Sequence, residues 1–175
     1  MNIFVLDEDP RIAAQYHADQ HLHKMILESA QMLSTAARFR GFKSIESWLY
    51  REAHPNHPCT LWVKSSNHNM HWLCDLAISL NSMRVGDHGS MDVIYAVKDY
   101  LEDEFPYCHY RHVESFVFAG PPTIAISQKL TIPEKYQKYY RQKHRQWLLD
   151  RSRGMTYKNR PIPPFMADLI SPNGT

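Results

Sequence analysis

The chain has 175 residues, 43% of them hydrophobic and 12% aromatic, with a formal net charge of +2 at pH 7. That length can bury a sizeable core in one domain, expected over 1–175, and is short for two. Three scattered cysteines, Cys59, Cys74 and Cys108, show no C-x-x-C spacing, which argues against a disulfide framework or a cysteine zinc site and points to a reducing cytosol.

The opening MNIFVLDEDP has no basic region before its short apolar run, unlike a signal peptide, and no segment approaches bilayer-spanning length. A cytoplasmic protein with no membrane partner is expected. Asn2 to Leu6 reads as extended, and Asp9-Pro10 as a helix start, an N-cap carboxylate followed by proline at the first helical position. The spacing predicts one long helix from Pro10 to about Arg40, stopped by Gly41. Its apolar face is Leu22, Met25, Ile26, Ser29, Met32 and Leu33; its polar stripe is His17, Gln20, His21, Lys24, Glu28 and Gln31. A short helix around Ser44 to Leu49 ends at His54-Pro55-Asn56-His57-Pro58, because proline disfavours helix at the residue before it.

Apolar residues from Leu61 to about Met83 then predict a second major helix, and Arg84 to Ser90 a loop. Val93, Ile94, Val97 and Leu101 support a third helix to about Glu104. Phe105 to Pro133 reads as an irregular connection, Pro133 to Asp150 as a last helix, and 150–175 as an extended proline-rich tail. With no strand alternation, the expected architecture is all-α, a compact single-domain helical bundle.

The polar stripe holds the chemistry. Lys24 and Glu28, at i and i+4, are a surface ion pair in the plainest reading; in a sharper one the amine attacks a sugar carbon to form a Schiff base. His17 and His21 have a spacing that could share a metal ion, but the H-E-x-x-H signature is absent. Neither metal nor cofactor is expected. Toward the C-terminus, Lys138, Arg141 and Arg145 lie three or four apart beside Tyr139 and Tyr140, and cations with aromatic faces suit nucleic acid. The alternative is a helix that buries its aromatics and solvates its charges.

Three stretches resemble the phage pyrimidine-dimer DNA glycosylases, the endonuclease V family. Ala18-Asp19-Gln20-His21-Leu22 is followed by Glu28 at the family's spacing, Ile124-Ala125-Ile126-Ser127-Gln128 matches a second stretch, and Gln137-Lys138-Tyr139-Tyr140 partly matches a third. The resemblance implies an all-helical enzyme that flips a nucleotide out of double-stranded DNA and cleaves its glycosidic bond, in the cytoplasm of a phage-infected bacterium. It makes Glu28 the catalytic carboxylate and His21 an organiser of the site. The family's nucleophile is the α-amine of a threonine exposed by methionine removal, whereas Met1 should stay ahead of the bulky Asn2. Leu27 and Gln31 stand where the family has arginines, and six extra residues precede His21. The nucleophile is therefore the Met1 amine, Lys24 or a water activated by Glu28.

Asn56 to Trp62 is also similar to an Asn-His-Pro-Cys-x-Leu-Trp stretch in uncharacterised phage and bacterial proteins, which implies that Asn56, His57 and Trp62 face the same site. The expected substrate contacts are thus His17, Gln20, Gln31, Asn56, His57, Trp62, Lys138, Tyr139, Tyr140, Arg141 and Arg145. The expected function is removal of a damaged or modified pyrimidine, with abasic-site lyase activity as a further step, by a monomer. The alternatives are a non-catalytic DNA-binding or host-interaction protein on the same fold, or an N-glycosidase acting on nucleotides.

Overall fold

The computed structural model describes residues 1–107, 113–151 and 153–170; Cys108 and the last five residues of the expected tail lie outside them. The architecture is all-helical, without strands among the described residues. The helices are α1 (Pro10–Tyr16), α2 (Asp19–Phe39), α3 (Pro58–Ser65), α4 (Asn67–Ser82), α5 (Met91–Glu104), α6 (Pro122–Ala125) and α7 (Ile132–Arg151). Short 3-10 turns occupy Lys43–Trp48 and Pro164–Met166. No helix among the described residues is long and apolar enough to cross a membrane.

The expected single helix from Pro10 to Arg40 is two. Asp9 caps α1 by accepting from the Arg11 and Ile12 amides, but His17 and Ala18 take extended backbone, with ψ of 134° and 153°. The His17 Nδ1–H donates to the Ala13 carbonyl (2.7 Å), filling an acceptor that the helix end leaves open. The Asp19 amide then donates to Thr156 of the distant C-terminal segment (2.9 Å) instead of an upstream helical carbonyl. Downstream, the expected helix from Leu61 to Met83 is also two. Ser66 ends α3 with φ −152° and caps α4 by accepting from the Asn69 amide.

Helix α2 is the spine. It packs against α3, α4 and α5, and Met25, Ile26, Met32 and Leu33 are fully buried with Met70, Trp72, Leu73 and Leu76 of α4. Gly41 lets the chain leave α2 at φ +75°, a left-handed conformation that a Cβ penalises. Residues 2–6 are buried, and the expected extended run is interrupted at Phe4, whose φ is +49°. Phe4 forms edge-on ring contacts with Tyr136 and Tyr140, the two fully buried residues of α7, at 6.0 and 5.3 Å between centroids.

The proline-rich tail is strapped to the body. Asp19 accepts from Thr156 Oγ1 (2.9 Å), the Lys158 amide (2.8 Å) and Arg160 Nη2 (2.6 Å). Desolvation pushes the Asp19 pKa up, but these donors together hold it below the ordinary carboxylate value. Gly154 passes so close to His144 that a Cβ there would lie 2.5 Å from the ring. Further along, Arg141 grips Asp168 with both terminal nitrogens and also reaches the Phe165 carbonyl.

Burial pushes the imidazoles of His17 and His21 down to about 4 and about 3, the latter helped by the charges of His17, Lys143 and Lys24. Both are neutral in the fold at pH 5, whereas in the unfolded chain each titrates near 6.5. Below pH 6.5 unfolding therefore takes up protons, so stability is full above that pH and falls toward pH 4. Each group contributes a slope of up to about 1.4 kcal/mol per pH unit. Chemical denaturation between pH 4.5 and 7.5 should show this decline, and His21→Gln, which keeps a partner for Tyr140, should reduce it.

Candidate active site

The first four residues form a hook that returns the chain start to α2. Asn2 closes it: its side-chain carbonyl accepts from the amides of Ile3 (2.8 Å) and Phe4 (3.1 Å), and its amide donates to Ala119 (2.6 Å). Phe4 stands at φ +49°, a left-handed conformation costing a non-glycine residue about 1 to 2 kcal/mol. Its ring stacks on His21, centroids 5.1 Å apart and planes 17° from parallel, a contact that offsets part of that cost. Thr60 Oγ1 lies 3.5 Å from the Met1 sulfur, so the first turn of α3 closes the other side.

The hook ends on Glu28. The Asn2 amide donates to Glu28 Oε2 at 2.9 Å, and the Met1 α-amine stands 3.8 Å from Oε1. Lys24 approaches the same Oε1 at 3.5 Å from one turn back. The two amines differ in setting: Lys24 is 66% exposed, whereas Glu28 and Met1 are 12% and 3% exposed in their side chains. A mostly buried carboxylate thus touches the α-amine of a half-buried residue whose side chain is covered, and one solvated side-chain amine. Among the described residues no group of three or more His, Cys, Asp or Glu could hold a metal ion.

His57 borders this centre from the loop before α3. It caps α3, its Nδ1 accepting from the Cys59 amide (3.2 Å), so the neutral ring carries its proton on Nε2. Partial burial, then the positive Met1 amine and His54, lower its pKa, and Glu28 acts in the opposite sense. Asn56 is exposed in the same turn. Cys59, buried beside Asn2 and Tyr136, has its thiol pushed up to about 11 by burial, so it is no nucleophile at neutral pH.

The other expected contacts divide sharply. His17 and His21 do not form a solvent-facing stripe with Lys24; both are buried. Tyr140 is fully buried too: its hydroxyl accepts from the Ala18 amide (3.3 Å), which leaves its proton for His21 Nδ1 in a short hydrogen bond. His21 organises the floor under Phe4 but cannot titrate near neutrality. Trp62 is buried and donates to the Glu114 carbonyl (3.3 Å), a packing role rather than a substrate contact.

Gln20 is spent on the tail, bonded to Gly154 and Thr156, and Arg141 on Asp168. Gln31 and Tyr139 are half-buried, while Lys138 and Arg145 are exposed on α7. Sequence reasoning missed Asn2, Phe4 and Thr60; the one available signal was a lone Asn immediately before the apolar run Ile3 to Leu6. Compared with known proteins, the chain matches no family model, and no curated protein or solved structure matches it.

Asn2→Ala removes the acceptor of two buried amides, and leaving such donors unpaired costs about 1 to 3 kcal/mol each. Thermal denaturation should show a lowered Tm for this variant, and the Met1 and Glu28 resonances should lose their mutual nuclear Overhauser contacts.

Proposed function

We propose that the protein is a DNA N-glycosylase with abasic-site lyase activity, acting as a monomer on a damaged or modified pyrimidine in duplex DNA. The observation that carries this reading is the approach of the Met1 α-amine and of Lys24 to one oxygen of Glu28. An amine beside a carboxylate is the pairing that Schiff-base cleavage of a glycosidic bond requires. The resemblance of Ala18 to Leu22 and Glu28 to the pyrimidine-dimer glycosylases supports the same chemistry.

In this mechanism the amine attacks as its free base. Its nitrogen bonds to C1′ of the flipped nucleotide while the C1′–N bond to the base breaks, and the base leaves with that electron pair and takes up a proton. The Glu28 carboxylate stabilises the positive charge spread over C1′ and the ring oxygen. Opening of the sugar ring then gives the iminium, and loss of a C2′ proton expels the 3′-phosphate. Met1 is the nucleophile of choice because the hook fixes it, whereas Lys24 reaches the carboxylate from solvent.

Glu28→Gln keeps the shape of the side chain but removes its charge and its ability to move a proton, so cleavage should fall by about 10² to 10⁴ with DNA affinity within a few-fold. Single-turnover assays on dimer-containing duplex check this, and near-normal cleavage by the variant overturns the assignment. Borohydride should trap a covalent adduct, and peptide mass spectrometry should place it on Met1. An adduct on Lys24 moves the nucleophile, and active enzyme that never traps points to water.

Exposed Lys138 and Arg145 remain as phosphate contacts on α7, and Lys143 lies over the rings of Phe4, Tyr139 and Trp147 at 5.4 to 5.9 Å. Replacing Lys138 and Arg145 together by glutamine should lower the slope of log affinity against log salt by about 1.8, since each lost phosphate contact removes about 0.9. Fluorescence anisotropy across a salt series measures it.

A further inference from the structure

The loop between α4 and α5 folds back onto α2 and holds two buried donors that lack acceptors. Asn81 fixes its shape, donating to Asp87 Oδ1 (2.8 Å) and accepting from the His88 amide (2.9 Å). Gly86 makes the turn at φ +74°. Held this way, His88 is buried at 7% exposure, with its ring centroid 4.2 Å from that of the exposed His23 on α2. Arg84 closes the group, its Nη1 3.1 Å from His23 Nδ1.

Proton positions follow from the partners. The Ser90 amide donates to His88 Nδ1 (3.0 Å), so the neutral ring carries its hydrogen on Nε2. Burial, then the neighbouring His23 and Arg84, lower the His88 pKa. A guanidinium can only donate, so His23 Nδ1 accepts and its Nε2 bears the other hydrogen. His88 Nε2 and Arg84 Nε are buried without a hydrogen-bond partner. Loop carboxylate Asp87 accepts from Asn81.

We propose that His23, Arg84 and His88 form a phosphate-binding site. The exposed His23 ring swings off His88, and phosphate oxygens accept from Arg84 Nε–H and His88 Nε2–H. A guanidinium charge flanked by neutral imidazole donors matches the several acceptor oxygens and the negative charge of that group. His23 precedes Glu28 by five residues, about 7.5 Å along the axis of α2. The phosphate belongs either to a DNA backbone crossing α2 or to a free phosphate or nucleotide; the DNA source rests on the glycosylase reading, and the site does not.

The test uses the full chain with ¹⁵N-labelled histidine, titrated with inorganic phosphate at pH 7.5 against a chloride control of equal ionic strength. Saturable shifts are expected at His23 and His88, with His57 unmoved. Arg84→Lys keeps the charge but loses the buried Nε–H, and it should weaken binding about tenfold, the equivalent of one charge-assisted hydrogen bond. Arg84→Gln should abolish it, with circular dichroism confirming that both variants are folded.

Absence of a saturable shift at His88, or unchanged affinity in folded Arg84→Lys and Arg84→Gln, overturns the site. Adding an undamaged duplex to the phosphate-saturated protein then identifies the source. Release of bound inorganic phosphate, read by its ³¹P line width, assigns the site to a DNA backbone, and phosphate that stays bound assigns it to a free phosphate or nucleotide. Because no arm reads base removal, failure of the glycosylase chemistry leaves the result standing.

Discussion

The carboxylate of Glu28 is the point on which the arrangement turns. It ties the chain start to the spine helix, since the Asn2 amide and the Met1 amine both converge on it from outside α2. Without that tie the hook keeps its links to Ala119 and Thr60 but loses its anchor on the Glu28 carboxylate, and Phe4 loses part of what holds its left-handed backbone over His21. Stability and chemistry thus meet in one group. One oxygen, Oε2, accepts from the Asn2 amide while the other, Oε1, faces the two amines.

A layered support lies beneath this centre. Phe4 rests on His21, His21 on the Tyr140 hydroxyl, and Tyr140 on α7, so each side chain is oriented by a deeper one. The imidazoles take part as neutral, shaped polar groups rather than as titrating ones, because burial removes them from the neutral range. The imidazole of His57, its pKa also lowered by partial burial and then by the Met1 amine and His54, stands near the carboxylate on the rim.

What could be read from the sequence was local. Asp9-Pro10, Gly41 and the spacing of Val93, Ile94, Val97 and Leu101 marked helix ends and faces because their causes lie within a few residues. Lys24 and Glu28 were readable for the same reason. The break at His17 was hidden, since apolar spacing continues across it and its cause is the Thr156 carbonyl at the far end of the chain. Polar residues on a predicted stripe read as solvent-facing, yet His17 and His21 are covered by Tyr140 and Phe4, residues distant in sequence. Neither Met1 against Glu28 nor Arg84 against His23 could be inferred from spacing, because each depends on a loop or hook conformation.

The straps that complete the site also set its timing. His21 waits for Tyr140, 119 residues later, and Asp19 for Arg160, 141 residues later. Such long closures are entropically costly and slow to form. During synthesis α1 to α5 can therefore collapse around α2 while its first turns still lack their partners. The floor beneath the candidate site assembles as one of the last events, when the C-terminal strap has left the ribosome. A chain caught at this stage would expose Phe4 and the first turns of α2, which marks it for aggregation or degradation while half-built.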